Sequence, residues 1–208
     1  MKRTDVQVIE KTTLFRGFNR IDQYELKYRL FDGLWSKKID REVFERGHGV
    51  LVVLFDPDLD KIVLVEQFRH GALAALSSPW FEADASPWTL ECVAGNLRDD
   101  EAPEEVAARE SREEAGCDIK DLLAVGHYLV SPSSSSQSVF IFCARIDASK
   151  VDGIHGVAEE GEQTRALAVP TAEVFHWLEA GKIITAGTVI GLQWLRLNYE
   201  DLRKRWLV

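Results

Sequence analysis

Acidic side chains between Gly95 and Cys117 have the types and spacing that could do chemistry; this segment reads GNLRDDEAPEEVAARESREEAGC. Glu110, Glu113 and Glu114 fall within about one turn of a predicted helix and share one side of it. Like charges at this spacing repel one another, so we expect a cation among them. Carboxylate oxygens are hard ligands that suit Mg²⁺ or Mn²⁺, and Mg²⁺ typically binds through a few carboxylates together with substrate phosphates.

Local signals predict the helix itself over residues 102–115. Pro103 suits a first turn, where its missing N–H costs nothing, and Gly116 is a natural left-handed stop. Val106 lies one turn before Glu110 on the same face. We therefore expect the face that carries the carboxylates to point partly into the protein.

A glutamate-rich helix that only faces solvent is the alternative interpretation of this segment. The spacing of the flanking residues argues against it, because a random acidic helix would not need them. These residues are Gly95, Glu101, Arg109 and Gly116.

The composition limits the function classes. The chain has 208 residues, of which 46% are hydrophobic, enough for one domain or one domain with a small extension. Its net charge of −9 argues against a nucleic-acid partner, since such binding depends on basic surface. The three cysteines have no metal-finger spacing and suggest reduced thiols in the cytoplasm. No apolar run has the length of a signal peptide or a membrane span, so we expect no membrane partner.

The N-terminal region alternates apolar and polar residues as strands do. This pattern occupies residues 6–10 and 24–30, and Asp32-Gly33 predicts a hairpin turn. A small antiparallel sheet of this kind cannot bury enough area alone. It must therefore pack on the rest of the chain or on a second copy.

The remaining elements must position the acidic helix. A nearly continuous apolar run at 49–55 predicts a strand covered on both faces, paired with 61–69. Residues 70–88 read as a surface loop, and 89–94 as a strand leading to Gly95. Strands are also predicted at 124–131 and 139–146, on either side of a flexible serine-rich turn.

The last quarter of the chain combines an acidic loop with two helices. The loop covers residues 147–164 and contains Glu159, Glu160 and Glu162. Helices are predicted at 171–180 and 186–207. For the second helix we expect an inward face of Ile190, Trp194, Leu197 and Leu202.

The acidic segment resembles the Nudix box, the signature of hydrolases that cleave a nucleoside diphosphate linked to another moiety. It fits the pattern G-x5-E-x7-R-E-U-x-E-E-x-G-U, where U is a bulky apolar residue, except that Ser111 replaces an aliphatic residue. The resemblance implies an α/β (α+β) fold, a Nudix α/β/α sandwich with a mixed β-sheet, plus the small N-terminal antiparallel sheet. It divides the chain into a dimerisation subdomain at 1–45 and a Nudix hydrolase domain at 46–208.

Further segments resemble the bacterial ADP-ribose pyrophosphatase branch of that family. They are FRGF at 15–18, FERGH at 44–48, VEQFR ending at Arg69, PWTLECVAG at 87–95, Ser131-Pro132, GIHG at 153–156 and IGLQWL at 190–195. A proline at about this distance after the box marks the substrate branch. This resemblance implies a homodimer in which the N-terminal sheets are exchanged between subunits.

The resemblance also implies the metal ligands. Glu110, Glu114 and the backbone carbonyl of Ala94 would hold Mg²⁺, or Mn²⁺, with Glu113 close by. Arg109 would orient these glutamates rather than touch substrate.

The general base and the substrate contacts are implied in the same way. The base is an acid of the loop, Glu160 by resemblance, with Glu162 as the alternative if the register shifts. Phe18 would stack on adenine, or belong to the sheet core. Arg41 and Arg69 would contact the ligand, or serve as surface ion-pair partners.

This chain departs from the branch at two further places. After Ser131-Pro132, related enzymes carry a Gly-Gly turn and a glutamate, whereas this chain has four serines and then Gln137. The segment 71–86 is also several residues longer than usual, near where substrate would enter.

The sequence therefore predicts a Mg²⁺-dependent hydrolase that splits ADP-ribose into AMP and ribose 5-phosphate. Gln137 keeps open another nucleoside diphosphate sugar as substrate. A non-catalytic Nudix-type ligand sensor is a third hypothesis, but such a protein could dispense with the carboxylates that this chain keeps.

Overall fold

The computed structural model describes residues 1–82, 84–157, 159 and 161–207, which form two compact units. The smaller unit consists of Met1–His48 and Leu129–Ser138, and the larger of Gly49–Tyr128 and Val139–Val208. The smaller unit is therefore built from two separate stretches of sequence.

The smaller unit contains the predicted antiparallel sheet. Its strands are β1 (Val6–Arg16), β2 (Arg20–Tyr28) and β3 (Ile39–Glu45), in the order β1-β2-β3. Every residue of β1 is exposed. Asp22 of β2 is buried and accepts a hydrogen bond from Thr13 at 2.8 Å, and Lys11 Nζ lies 2.9 Å from its carboxylate.

The serine-rich turn is fastened to β3, although its composition predicted a flexible segment. Phe44 N–H donates to the carbonyl of Ser134 at 2.8 Å, and Ser136 N–H donates to the carbonyl of Phe44 at 3.2 Å. The Ser136 hydroxyl donates to Glu45 at 2.5 Å. These bonds supply the order that composition alone could not indicate.

The larger unit is organised around an eight-stranded mixed sheet in the order β10-β11-β5-β4-β9-β8, with β6 paired to β5 and β7 to β4. In the described part of the chain, four α-helices accompany it. The strands are β4 (His48–Asp56), β5 (Lys61–Phe68), β6 (Trp88–Glu91), β7 (Val93–Leu97), β8 (Asp121–Leu129), β9 (Ser138–Arg145), β10 (Ile154–His155) and β11 (Thr164–Pro170), and the helices are α1 (His70–Ala75), α2 (Pro103–Ala115), α3 (Thr171–Glu179) and α4 (Ala186–Trp206).

Alternate residues of β4 enter two different apolar cores. Leu51, Val53 and Phe55 belong to a cluster that includes residues of α3 and α4. Val50, Val52 and Leu54 belong to a second cluster with residues of α2. Because helices cover both faces of the sheet, the predicted α/β/α sandwich is confirmed, and so is the prediction of a strand buried on both sides.

Other local predictions were wrong as well. The segment 70–88 begins with α1, and the strand predicted at 89–94 is two strands separated at Cys92. In α4 the buried stripe includes Leu192 and Leu195, whereas two residues predicted to face inward are exposed, Ile190 at 39% and Leu197 at 85%. The stripe is rotated because α4 approaches the sheet at Gly191, where an added Cβ would lie 2.7 Å from Val53.

Candidate functional site

Helix α2 and strand β7 bring two buried carboxylates together. Glu110 and Glu114 are buried, while Glu113 is partly exposed. Ala94 N–H on β7 donates to Glu114 Oε2 at 3.0 Å. A Cβ added at Gly95 would lie 1.9 Å from Glu110 Oε1, so this close approach of strand and helix requires a glycine.

Arg109 supplies the positive charge among these carboxylates. Its Nη1 donates to Glu110 Oε1 at 2.6 Å and to Glu113 Oε2 at 3.0 Å. Its Nε donates to Glu101 Oε1 at 3.2 Å. The guanidinium therefore offsets part of the negative charge of these glutamates.

Burial makes the two inner carboxylates difficult to ionise. Burial raises the pKa of Glu114 to about 8, the charge of Glu110 adds to this, and the hydrogen bond from Ala94 opposes it. Burial also raises the pKa of Glu110, and Arg109 opposes that rise. A bound cation would relieve both carboxylates, because it favours their charged forms.

The donor chemistry of this site fits a hard divalent cation. Its side chains offer carboxylate oxygens only, and the backbone of Ala94 lies beside Glu114. Within the described ranges, no three His, Cys, Asp or Glu side chains already form a group that could hold an ion. The site therefore has suitable ligands that are engaged with Arg109 and with backbone rather than gathered around one point.

The acidic loop is attached to the end of α2 on both sides. Gly156 N–H donates to the carbonyl of Glu113 at 2.9 Å, and the Thr164 hydroxyl donates to the carbonyl of Glu114 at 2.8 Å. These bonds satisfy carbonyls that a helix end leaves without partners. The loop between Gly156 and Thr164 therefore begins and ends next to the predicted metal-binding glutamates.

The acidic loop contains both residues predicted as the general base. Glu160 lies outside the described residues. Glu162 is described, and besides burial its negative charge raises the pKa of both Glu110 and Glu114. Its carboxylate thus acts on the same electrostatic environment as the helix carboxylates.

Arg69 follows β5 and is paired with Glu91 of β6. Its Nε donates to Glu91 Oε1 at 3.0 Å, and its Nη2 donates to Oε2 at 2.8 Å. Arg69 therefore does form an ion pair, as the alternative prediction had it, but its partner Glu91 is buried while Arg69 itself stays partly exposed. Sequence reasoning missed Glu91, although an acid within an otherwise apolar strand is a detectable signal.

Four predicted substrate residues lie in the smaller unit. Phe18 is 85% exposed, which excludes a place in the sheet core, and the Arg46 guanidinium lies 5.0 Å from its ring centroid. Arg41 is exposed on β3, and its Nη1 donates to the carbonyl of Asp40 at 2.7 Å. Ser131 and Pro132 are exposed as well.

Comparison with known proteins decides the family. A model of the NUDIX domain matches residues 45–186. The chain belongs to the Nudix family. Over 204 residues it is 40% identical to the ADP-ribose pyrophosphatase of Escherichia coli (strain K12), covering 98% of this chain and 94% of that protein.

Two other matches extend the comparison. A GDP-mannose pyrophosphatase of Cronobacter sakazakii is 32% identical over 159 residues, which cover 76% of this chain and 78% of that protein. A solved structure described as an ADP compounds hydrolase has the same fold, with a TM-score of 0.69 at 20% identity, covering 98% of this chain and 97% of that one. No helix in the described part of the chain is long and apolar enough to cross a bilayer.

Proposed function

We propose that this Nudix protein hydrolyses the diphosphate of ADP-ribose, adding water across the P–O–P bridge to release AMP and ribose 5-phosphate. The observation that carries the proposal is the 40% identity to an ADP-ribose pyrophosphatase along 98% of this chain. The buried carboxylates of α2 supply the chemical reason, because their environment calls for a cation and a diphosphate substrate needs one.

The proposed cofactor is Mg²⁺, with Mn²⁺ as a possible substitute. Glu110, Glu114 and the carbonyl of Ala94 would hold it, with Glu113 close by. When bound, the ion would offset the charge of the diphosphate and make water more acidic. Arg109 contacts both Glu110 and Glu113, so we assign it an orienting role.

The proposed base is an acid of the loop after Gly156. The glutamates of α2 would be engaged with cations, so the proton of the attacking water needs another acceptor within hydrogen-bond reach. Resemblance favours Glu160. Glu162 is the alternative, supported by its electrostatic effect on Glu110 and Glu114.

The proposed substrate contacts combine an aromatic ring with two arginines. The exposed Phe18 would stack on adenine, and Arg41 and Arg69 would bind the phosphates or sugar, since a guanidinium matches phosphate oxygens bidentately. The segment at Ser131 and Pro132 would contribute to recognition of the sugar. A small nucleoside diphosphate sugar, rather than nucleic acid, agrees with the net charge of −9.

We further propose a homodimer that forms by exchange of the N-terminal sheets. The sheet leaves large apolar side chains exposed, and such patches typically mark interaction surfaces. They include Val6, Val8, Leu14 and Phe15 on β1, together with Phe18 and Phe31 in the connections between the strands. Residues 1–45 would serve dimerisation and 46–208 would form the hydrolase domain. Three free, buried cysteines are compatible with the cytoplasmic location that we propose.

The competing substrate is another nucleoside diphosphate sugar, which the GDP-mannose pyrophosphatase match and Gln137 both favour. A panel containing ADP-ribose, GDP-mannose and UDP-glucose, with Mg²⁺ or Mn²⁺, separates these possibilities. We expect kcat/KM for ADP-ribose to exceed the others at least about tenfold, a transition-state difference near 1.4 kcal/mol. Preference for GDP-mannose would reassign the substrate, and no hydrolysis with either metal would favour a ligand sensor.

A further inference from the structure

Arg69, Glu91 and Thr89 form a polar cluster at the paired ends of β5 and β6. The register pairs Gln67 with Thr89 and Val65 with Glu91, so alternate residues of both strands share one side. Arg69 follows β5 by one position and falls on that side. The pairing of these strands therefore brings the three side chains together from two separate parts of the chain.

The hydrogen bonds of the cluster use both oxygens of Glu91. Arg69 donates to it through Nε and Nη2, at 3.0 and 2.8 Å. The Thr89 hydroxyl donates to Glu91 Oε1 at 2.5 Å. A two-point contact of this kind fixes the plane of the guanidinium, and the threonine fixes the carboxylate in turn.

The pair with Glu91 leaves part of Arg69 available. A guanidinium carries five N–H groups, and Glu91 takes two of them. Among the described residues, the other three find no hydrogen-bond partner. Burial lowers the pKa of Arg69, but its interactions with Glu91 outweigh this, and the charge of Glu114 raises that pKa further. The guanidinium thus lies within electrostatic range of the carboxylate site.

We propose that Glu91, held by Thr89, is a positioning residue that fixes Arg69 so that its remaining N–H groups face a phosphate of the substrate. This inference rests on the proposed function. A flexible arginine loses side-chain entropy when it binds an anion, and a preformed pair removes part of that cost before substrate arrives. A surface arginine without such a partner would not have this advantage.

Glu91→Gln tests the proposal because it keeps the shape of the side chain and removes its charge. Charge-assisted contacts typically contribute about 1.5–3 kcal/mol, so we expect KM for ADP-ribose to rise about ten- to a hundredfold. We expect kcat to stay within about threefold, because the reacting groups are untouched. Glu66→Gln is the matched control, since Glu66 lies on the neighbouring strand β5 and pairs with an exposed arginine, Arg165.

Thr89 offers a milder version of the same test in case Glu91→Gln fails to fold. Thr89→Val keeps the volume but removes the hydroxyl, and should raise KM about three- to tenfold, less than Glu91→Gln because Thr89 acts on Arg69 only through Glu91. Thr89→Ser should restore the parent value. A merely structural role would instead lower the melting temperature and the active fraction of both variants while KM stays unchanged.

A double-mutant cycle with Arg69→Ala shows whether Glu91 acts through the arginine. We expect Glu91→Gln to raise KM in the parent and to have no added effect in the Arg69→Ala background. An equal effect in both backgrounds, or an unchanged KM in folded Glu91→Gln and Thr89→Val, would overturn the proposal.

The Arg69 Nε–H resonance provides a readout that does not depend on turnover. Its slow exchange with water in the parent should be lost in Glu91→Gln, and fast exchange in the parent would contradict the fixed pair. If the parent fails to hydrolyse ADP-ribose while this resonance is protected, the proposed function fails and the positioning of Arg69 by Glu91 stands. If the parent hydrolyses ADP-ribose but Glu91→Gln leaves KM unchanged, the proposed function stands and the positioning role of Glu91 fails.

Discussion

Glu114 joins three properties that single residues seldom combine: burial, a pKa raised to about 8 and a hydrogen bond from the backbone of Ala94. We expect Glu114→Gln to remove nearly all turnover, by about a thousandfold or more, because it deletes a charge that a metal ion would need while keeping the volume. Steady-state kinetics with saturating Mg²⁺ measure this. Glu104→Gln, an exposed acid in the first turn of the same helix, is the control. Activity of Glu114→Gln within about threefold of the parent would remove the metal assignment.

The raised pKa of Glu114 also predicts how metal-free stability depends on pH. Its folded pKa of about 8 lies above the ordinary value of 4.5, so the folded state binds more protons between these limits. The contribution of Glu114 to the free energy of unfolding is therefore fully present below about pH 4.5, and it is lost as pH rises through about 8. Burial also raises the pKa of Glu110, so this group changes stability with pH in the same direction.

Thermal melts in EDTA between pH 6 and pH 9 measure this loss. Over that range the melting temperature of the parent should fall more than that of Glu114→Gln. The fall should be roughly 2–4 °C for each kcal/mol of unfolding free energy that is lost. Mg²⁺ should reduce this pH-dependent fall in the melting temperature of the parent, because metal binding favours the ionised carboxylates. Parallel curves for parent and variant would show that Glu114 titrates normally in the folded state.

For single residues, the sequence correctly predicted which side chains group together when they are neighbours in the chain. Glu110, Glu113 and Glu114 follow from helical spacing, and Arg109 contacts two of them. The Arg69–Glu91 pair could not be found in this way, because the pairing of β5 and β6 creates it across 22 positions. Spacing within one element is visible in a sequence, whereas contacts between elements depend on register.

Among the elements, α2 is joined to both ends of the segment between Gly156 and Thr164. The loop is anchored by Gly156 and Thr164 to the last carbonyls of α2. The described anchors Gly156 and Thr164 therefore lie directly beside the end of α2 that carries Glu113 and Glu114.

The predicted base can be identified by single substitutions in this loop. Removing a general base typically costs about a hundred- to ten-thousandfold, so we expect Glu160→Gln to lower kcat by that amount with little change in KM. Glu159→Gln is the matched control and should be mild. If Glu162→Gln is the crippling change instead, the base is two positions further on; if neither matters, the loop does not supply the base.

The elements also show where local sequence signals are sufficient. The bounds of helix α2 were predicted well because three signals agree on them. Pro103 begins the helix, no helix-breaking residue follows, and Gly116 ends it with a φ of 62°. The inward face of α4 was wrong at Leu197 because the small Gly191, not the pattern of large residues, decides which side approaches the sheet. Strand β11 carried too short a pattern to be predicted.

At the scale of the whole molecule, the sheet formed by β1, β2 and β3 exposes its entire first strand. If the proposed exchange of N-terminal sheets occurs, deleting Met1 to Lys38 should give an insoluble or inactive protein. Light scattering of the intact chain should give the mass of a dimer. A truncated protein that is soluble, monomeric and active would contradict the exchange.

Subunit mixing gives a sharper test of a shared site. Glu114→Gln and Arg41→Ala each damage every site in their own dimers. If Arg41 serves the partner's carboxylates, a mixed dimer contains one intact site, and an equal mixture should recover about a quarter of the parent's activity. Recovery should require time for subunit exchange. A mixture no more active than the sum of its components would place Arg41 and Glu114 of each site on the same chain.

The central claim is that this chain cleaves the diphosphate of ADP-ribose in preference to that of other nucleoside diphosphate sugars. The most direct measurement is a competition in one tube, with equal ADP-ribose and GDP-mannose, Mg²⁺ and limiting protein, followed by ³¹P NMR. We predict that the diphosphate signals of ADP-ribose disappear first, replaced by equal amounts of AMP and ribose 5-phosphate, while GDP-mannose persists. Loss of GDP-mannose first, or ADP-ribose left intact at completion, would contradict the account.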